Sequence, residues 1–497
     1  MSFSREQQYA FDRFLAGDNL FITGPGGTGK TYLIREMVRS MRERDIKYQI
    51  CAMTGCAAVL LGSGTKTLHS WTGMGLANGH KDAVIQKIVY NKKTVGGIKK
   101  TRVLIVDEVS MMSKKIFDCV NAALKLIKKS QAAFGGIQVI FTGDFFQLPP
   151  VGGNDADEDT SRFCFESANW GEVFPPKNCI ELKWIFRQED DVYKKILEQV
   201  RRGELDADSE AVLRKCVNRE VSGDVIPTKL FATRAKTDFV NSRMYEKLEG
   251  EEIVYKTAVK YDLKLFIDSG KNIDLAAIQA SSTLGQKEKE MEVEMLMNQS
   301  NRVNTLGLKK GARVMCLHNI CVEEGICNGS QGIILDFVGG NPLVKFSNGR
   351  QMIIEPVWVQ SDEYPCIGVG QIPLCLAWAL TIHKIQGATL TLAEMDLGLS
   401  VFEYGQTYVA LSRIKSLEGL YLSAFQPKRI KANPLVKEFY KTIPEIVENI
   451  VEIPLTSSPK GNIFQDFAYV SEGSGAAAIA PPENQVERDP TVKVVKL

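Results

Sequence analysis

The chain lacks any apolar run long enough to cross a bilayer: the longest, "IPLCLAWALTI" (372–382), is well short of the roughly 20 residues a spanning helix needs. Its first residues, "MSFSREQQ", lack the apolar stretch of a secretory leader, so an intracellular protein, nuclear or cytoplasmic and without a membrane partner, is expected. The 11 cysteines contain no C-x-x-C pair, are odd in number and are scattered, which argues against a disulfide framework and suits a reducing compartment. Cys316, His318, Cys321 and Cys327 are the one cluster of metal-binding residue types, yet their spacing fits no zinc motif. The stretch "ARVMCLH" (312–318) reads instead as a strand with half-buried side chains. An excess of one charge is missing too. With a formal net charge of +2, any site for a polyanion must be a local groove or patch.

What is present looks like an ordinary soluble protein, 44% hydrophobic and 24% charged, and 497 residues are too many for one core. In the first 150 residues, apolar strands (20–23, 48–53, 103–106, 137–142) alternate with stretches of helical spacing such as Leu33, Ile34, Met37, Val38 and Met41. That alternation predicts a parallel sheet covered by helices. The pattern resumes at "TKLFATR" (228–234), "LCLAWALTIHKIQG" (374–387) and "LYLSAF" (420–425). Between them, from Gly311 on, short strands with Gly-rich turns suggest a small β-barrel. After about residue 451 periodicity gives way to Ser, Pro, Gly and Ala, the composition of a disordered tail.

"FITGPGGTGKT" (21–31) reads as strand, glycine-rich loop, helix. Gly24, Pro25, Gly26, Gly27, Thr28 and Gly29 let the backbone wrap phosphates, and the following helix start meets their charge. Lys30 would reach the β- and γ-phosphates, and the Thr31 hydroxyl would ligate magnesium. "VLIVDEVSMM" (103–112) supplies the second half: Asp107 for the magnesium ion and Glu108 to orient and deprotonate a water. Ser4-Arg-Glu-Gln7 leaves two readings open. Gln7 could read an adenine edge, or it could close a capping box on its own helix.

"FGGIQVIFTGDFFQLPPV" (134–151) ends a buried strand with Asp144, Gln147, two aromatics and a double proline. Such residues could sense a γ-phosphate or simply pack and stop the strand. The stretch resembles a signature of the Pif-type (petite integration frequency) ATP-dependent DNA helicases of superfamily one, subgroup B. Further stretches match in the same order: "SREQ" (4–7), "GPGGTGKT" (24–31), "AMTGCAAVLLGSGTKTLHSWTGMG" (52–75), "VDEVSMM" (106–112), "WIFRQ" (184–188), "FATRAKTDFVN" (231–241), "LKKGARVMCLHN" (308–319), "NGSQGII" (328–334), "LAWALTIHKIQGATL" (376–390) and "YVALSRIKSLEGLYL" (408–422). Met53 departs from the small polar residue expected before "TG", and residues 76–100 and 259–305 match nothing recognisable.

The resemblance implies an α/β fold of two RecA-like P-loop NTPase domains with an inserted SH3-like β-barrel. The first motor domain is expected over 1–180, with a wedge-like insert at about 76–100; the second over 181–258 and 374–450; the insertion over 259–373, its barrel at about 308–372; and the tail over 451–497. It recasts Gln7 as the adenine reader, Gln147 as the γ-phosphate sensor, and Arg187 and Arg413 as arginine fingers, with Gly387 also at the nucleotide. Positions matching the DNA track are Thr54, Gly55, His69, Ser70, Thr381, His383, Lys384 and Gln386, residue types suited to a sugar-phosphate backbone. Trp71 or Phe145 would stack on bases, with core packing the alternative. The basic run Lys92, Lys93, Lys99, Lys100 and Arg102 is either near the wedge or a solvated loop. The activity implied is ATP- and Mg²⁺-dependent 5′-to-3′ movement on single-stranded DNA with unwinding of forked or tailed duplexes, in replication, repair or recombination. G-quadruplexes and RNA–DNA hybrids are further candidate partners, and a monomer is expected in solution. The rivals are an RNA–DNA hybrid helicase and a nucleotide-switched DNA-binding ATPase that does not unwind.

Overall fold

The structure, a computed structural model, describes residues 3–61, 64–75, 77–152, 158–221, 227–261, 283–299, 304–318, 320–321, 324, 326, 329–361, 364, 366–387, 389–390, 392–446 and 492–494. Cys327, the middle of the 259–305 stretch and nearly all of the tail read as disordered lie outside these residues. Among the described residues, no helix is long and apolar enough to cross a membrane.

Two parallel sheets, RecA-like in build, carry the molecule. The first runs, edge to edge, Lys66–Thr67, Tyr48–Ala52, Val103–Asp107, Gln138–Thr142, Leu20–Thr23 and Cys179–Glu181, every neighbouring pair parallel. Its central strands Leu20–Thr23 and Val103–Asp107 are buried along their whole length, which is why they read as continuous apolar runs. Leu20, Ile22, Val103 and Ile105 join one core with Leu33, Met37 and Met41 of the helix Lys30–Glu43. Phe21, Leu104 and Val106 point the other way, into a core with Phe117, Val120 and Leu124 of the helix Lys114–Lys128. The second parallel sheet runs Ala379–Thr381, Thr228–Phe231, Ala393–Leu397, Leu420–Phe425.

Between Phe231 and Ala379 the described residues form sheets with antiparallel pairings and the helices Arg234–Glu246 and Gln286–Gln299. Ile253–Lys256 pairs with Thr305–Leu308, and Ala258–Tyr261 with Ile367–Gln371. The largest orders Leu374–Leu376, Arg313–Cys316, Gln331–Val338, Asn341–Phe346 and Gln351–Ile353, with Val492–Val494 on the outer edge. Leu374–Leu376, read from sequence with the second parallel unit, therefore belongs to this sheet. Cys316 lies wholly buried on its strand.

Two segments differ from their sequence reading. Lys92–Lys100 is a helix, not a solvated loop: Ile98 is buried in the first core, leaving Lys92, Lys99 and Lys100 exposed. The helix Pro434–Lys441, which follows the second sheet in sequence, packs on the first unit. Its Val436 is fully buried in the core that holds Phe21 and Phe117, and Phe439 stacks on Phe165 at 4.4 Å.

Candidate functional site

Both parallel sheets end their strands toward a shared seam, the edge where open α/β sheets bind ligands. After Leu20–Thr23 the chain turns through residues 24–29 into the helix Lys30–Glu43. Gly27 and Gly29 are left-handed (φ 92° and 81°), and side chains there would collide: a Cβ on Gly29 would sit 2.6 Å from Gln7 Nε2, one on Gly27 2.5 Å from Arg187 Cβ. Lys30 Nζ donates to the carbonyls of Gly24 (2.6 Å) and Pro25 (3.0 Å), and Thr28 Oγ1 also donates to Pro25. Burial lowers the Lys30 ammonium below the usual lysine range, while Asp144, Glu108 and Asp107 pull it back up.

Gln7 takes part in both of its readings. Its Oε1 accepts from the Ser4 amide at 3.0 Å and Ser4 Oγ accepts from the Gln7 amide, so the capping box is formed. Its Nε2 also donates to the Thr28 carbonyl of the loop at 3.1 Å. One amide hydrogen and one lone pair are left over, the pair an adenine edge requires.

Asp107 ends its strand with Oδ1 accepting from Thr142 Oγ1 and from the Glu108 amide. Glu108 follows in the left-handed region (φ 57°), which turns its carboxylate off the strand. Burial raises both acids; for Glu108 the Asp107 charge adds to it, opposed by Arg413, a hydrogen bond from Gln386, and Lys30. Thr31 is half-buried in the first turn of the loop's helix. A hydroxyl, a carboxylate, a lysine and a glycine-lined loop are the donor set a nucleoside triphosphate with a divalent cation calls for.

The far side of the seam supplies cations. Arg187 Nη1 donates to the Ser412 carbonyl at 3.1 Å and lies 3.7 Å from the Cβ position of Gly26. Arg413 is buried, its Nε on the Val409 carbonyl at 2.9 Å and its Nη2 on Ser412 Oγ at 2.8 Å. Burial, with Arg187 nearby, pulls Arg413 down to about 10, against Glu108 and Tyr408. Gln147 Oε1 accepts from Gln386 Nε2 at 3.4 Å, and the same amide donates to Glu108 at 3.1 Å. Gln386, matched to the DNA track in sequence, thus sits among the nucleotide-side residues. Gly387 follows it in the left-handed region.

The other track candidates lie at strand ends and helix starts. Thr54 Oγ1 accepts from the Ala57 amide in front of the short helix Gly55–Leu60; His69 and Ser70 lie in the helix Leu68–Thr72, and burial lowers the His69 imidazole. Thr381, His383 and Lys384 line a groove of about 820 Å³ together with Arg234, Asn241 and Phe402. Phe402, 65% exposed, was not singled out in the sequence. Trp71 and Phe145 are both buried in the first core, Phe145 among Phe21, Phe163, Phe165 and Phe439, so neither offers a face to a base.

Sequence reasoning missed a buried polar knot beside the loop. Asp144, fully buried, accepts from Arg201 Nε and Nη2 (both 3.0 Å), from Tyr440 Oη (3.0 Å) and from Tyr408 Oη (3.2 Å). Arg201 also bonds Glu181 at 3.0 Å and lies over the rings of Phe146 and Tyr440. Tyr408 stands inside a quoted motif and could have been flagged there; Arg201 and Tyr440 carry no local signal.

Comparison with known proteins gives consistent matches. The model of the family described as PIF1-like helicase matches residues 2–211, and that of the DNA helicase Pif1 2B domain matches residues 295–337. The ATP-dependent DNA helicase PIF1 of Xenopus laevis is 34% identical over 456 residues, covering 88% of this chain and 64% of that protein. The ATP-dependent DNA helicase Pif1 of a Psychrobacter species is 31% identical, covering 87% and 70%. Among solved structures, the Pif1 helicase of Candida albicans superposes with a TM-score of 0.72 at 32% identity, covering 89% of this chain and all of that one. A Bacteroides Pif1 bound to single-stranded DNA gives 0.62 at 26% identity, covering 89% and 97%. The chain spans just under two thirds, 64%, of the length of the frog and zebrafish relatives.

Proposed function

The chain belongs to the PIF1-like helicase family, and on that premise we propose that it is an ATP-dependent DNA helicase that moves 5′ to 3′ on single-stranded DNA and unwinds duplex ahead of it. The observation that carries this reading is the seam, where Lys30 and Glu108 of one unit meet Arg413 and Gln386 of the other. A single-unit kinase would need no second α/β sheet to complete its phosphate site.

Gln7 would read the adenine, the loop amides and Lys30 would hold the phosphates, and Thr31 and Asp107 would hold magnesium. Magnesium-ATP bound there supplies a phosphoryl group whose transfer to water releases the energy for movement. Glu108 would orient and deprotonate the water; its raised proton affinity suits a base. Arg187 and Arg413 would stabilise charge spreading over the transferred group, and Gln147 would sense its presence. Thr54, Gly55, His69, Ser70, Thr381, His383 and Lys384 would grip the sugar-phosphate backbone, and Phe402 would offer a ring to a base.

A backbone grip carries no base information, so the proposed range covers forked and tailed duplexes and extends to G-quadruplexes and RNA–DNA hybrids. We take the domain limits given above as working limits, with Leu374–Leu376 counted with the inserted sheet and Pro434–Lys441 with the first unit, a monomer as the unit in solution, and the nucleus or cytoplasm as the location. The test is unwinding of duplexes with either a 5′ or a 3′ single-stranded tail, with Lys30→Ala as control. Opening of the 5′-tailed duplex alone, lost in the variant, is expected; a preference for the 3′ tail sinks the reading.

A further inference from the structure

We infer that Tyr408 is a positioning residue for the phosphate loop: its hydroxyl, brought by the second unit, holds the Gly26 amide and ties it to Asp144, so the loop keeps its binding shape only while the two units are docked. The inference rests on the ATPase reading above and deepens it.

Tyr408 is 2% exposed, and its Oη accepts from the Gly26 N–H at 2.9 Å while donating to Asp144 Oδ2 at 3.2 Å. A phenol has one hydrogen to give and lone pairs to accept with, so both bonds are made at once and in only this sense, because an ionised carboxylate cannot donate. Gly26 lies against the second unit, its Cβ position 3.6 Å from Ser412 Cβ.

The hydroxyl is itself held from behind. Asp144 is fixed by Arg201 through two nitrogens, by Tyr440 and by the Phe146 amide at 3.3 Å. Arg201 is locked in turn by Glu181 and by the rings of Phe146 and Tyr440. A saturated carboxylate with an immobilised guanidinium is a rigid anchor, and a partner hanging from it inherits that rigidity. Tyr408 belongs to the helix Gln406–Leu411, and Ser412, which accepts from Arg187, follows directly. One short element thus sets both the loop and an arginine beside it. Phenylalanine would fill the same space, so the hydroxyl is what the loop uses.

The experiment compares the full chain with Tyr408→Phe and Tyr440→Phe, using a fluorescent non-hydrolysable ATP analogue with magnesium for binding and steady-state ATPase with single-stranded DNA for KM and kcat. Tyr440→Phe also removes one hydroxyl from Asp144, with its contacts to Thr23 and the Phe145 amide, but leaves Gly26 its partner and Asp144 the two-nitrogen grip of Arg201 that holds it in place. Expected for Tyr408→Phe is a Kd for the analogue and a KM for ATP raised by about tenfold, the equivalent of one lost hydrogen bond, with single-stranded DNA affinity unchanged and Tyr440→Phe close to the parent in both. Unchanged nucleotide affinity in Tyr408→Phe, or an equal loss in Tyr440→Phe, overturns the inference by assigning the hydroxyl to core stability alone. A parent chain that neither binds the analogue nor hydrolyses ATP sinks the ATPase reading itself, a result distinct from either.

Discussion

Gln386 lies three residues beyond His383 of the groove, yet its side chain donates to Glu108 and faces Gln147. Replacing it with alanine removes the group that orients the carboxylate and leaves the backbone grip in place. Gln386→Ala is therefore expected to lower kcat for ATP by about tenfold or more while single-stranded DNA affinity, measured by fluorescence anisotropy, stays near the parent value. A loss confined to DNA affinity would return the residue to the track. The phosphate loop, Asp107 and Glu108 were legible in sequence because each is a local strand-end pattern whose chemistry needs neighbours only a few residues away. Arg201 was not: it sits next to Arg202 at the same helix end, and only the fold makes one side chain 1% exposed and the other 56%. His69 gives a pH signature. Burial depresses its folded-state value below the unfolded value of about 6.5. The folded chain then binds the proton less readily than the unfolded one, so this contribution to stability is full above that pH and is lost as pH falls through it. The melting temperature is expected to drop on acidification below about pH 6.5, and His69→Asn to drop less; equal slopes would remove His69 from the account.

At the scale of elements, apolar periodicity found four of the six strands of the first parallel sheet and three of the four of the second, because burial on both faces writes itself into contiguous stretches, and it missed Lys66–Thr67, Cys179–Glu181 and Ala393–Leu397. It failed at Lys92–Lys100, "KKTVGGIKK", where two glycines and four lysines hide a helix anchored by Ile98. It also could not say where Pro434–Lys441 would dock. That helix has a legible start, with the Asn433 side chain accepting from the Leu435 amide and proline at the first position. Its destination is set by shape: Val436, Phe439 and Tyr440 fill the aromatic cluster around Phe145, Phe146, Phe165 and Trp170. Val436→Asp places a carboxylate in a fully buried apolar cluster, and is expected to cost about 3–5 kcal/mol in chemical denaturation. A cost of a few tenths would show that the helix merely rests on the surface.

Across the whole molecule, the two units are pinned together by the Arg201–Asp144 pair, with side chains 1% and 0% exposed. Removing one partner of such a pair strands the other without water. Arg201→Met is expected to destabilise by about 3–5 kcal/mol and to split a single thermal transition into two in calorimetry; an unchanged single transition would mean the seam is held elsewhere. The docking of Pro434–Lys441 bears on how the protein is made. Domains emerging from the ribosome ordinarily fold in the order of their synthesis. Here the ring cluster of the first unit waits for side chains made some 260 residues after its last aromatic, Phe174. Until translation has passed Tyr440, the nascent chain carries an open greasy face, so premature termination in the second half before that point should yield a product that chaperones retain rather than a working amino-terminal fragment.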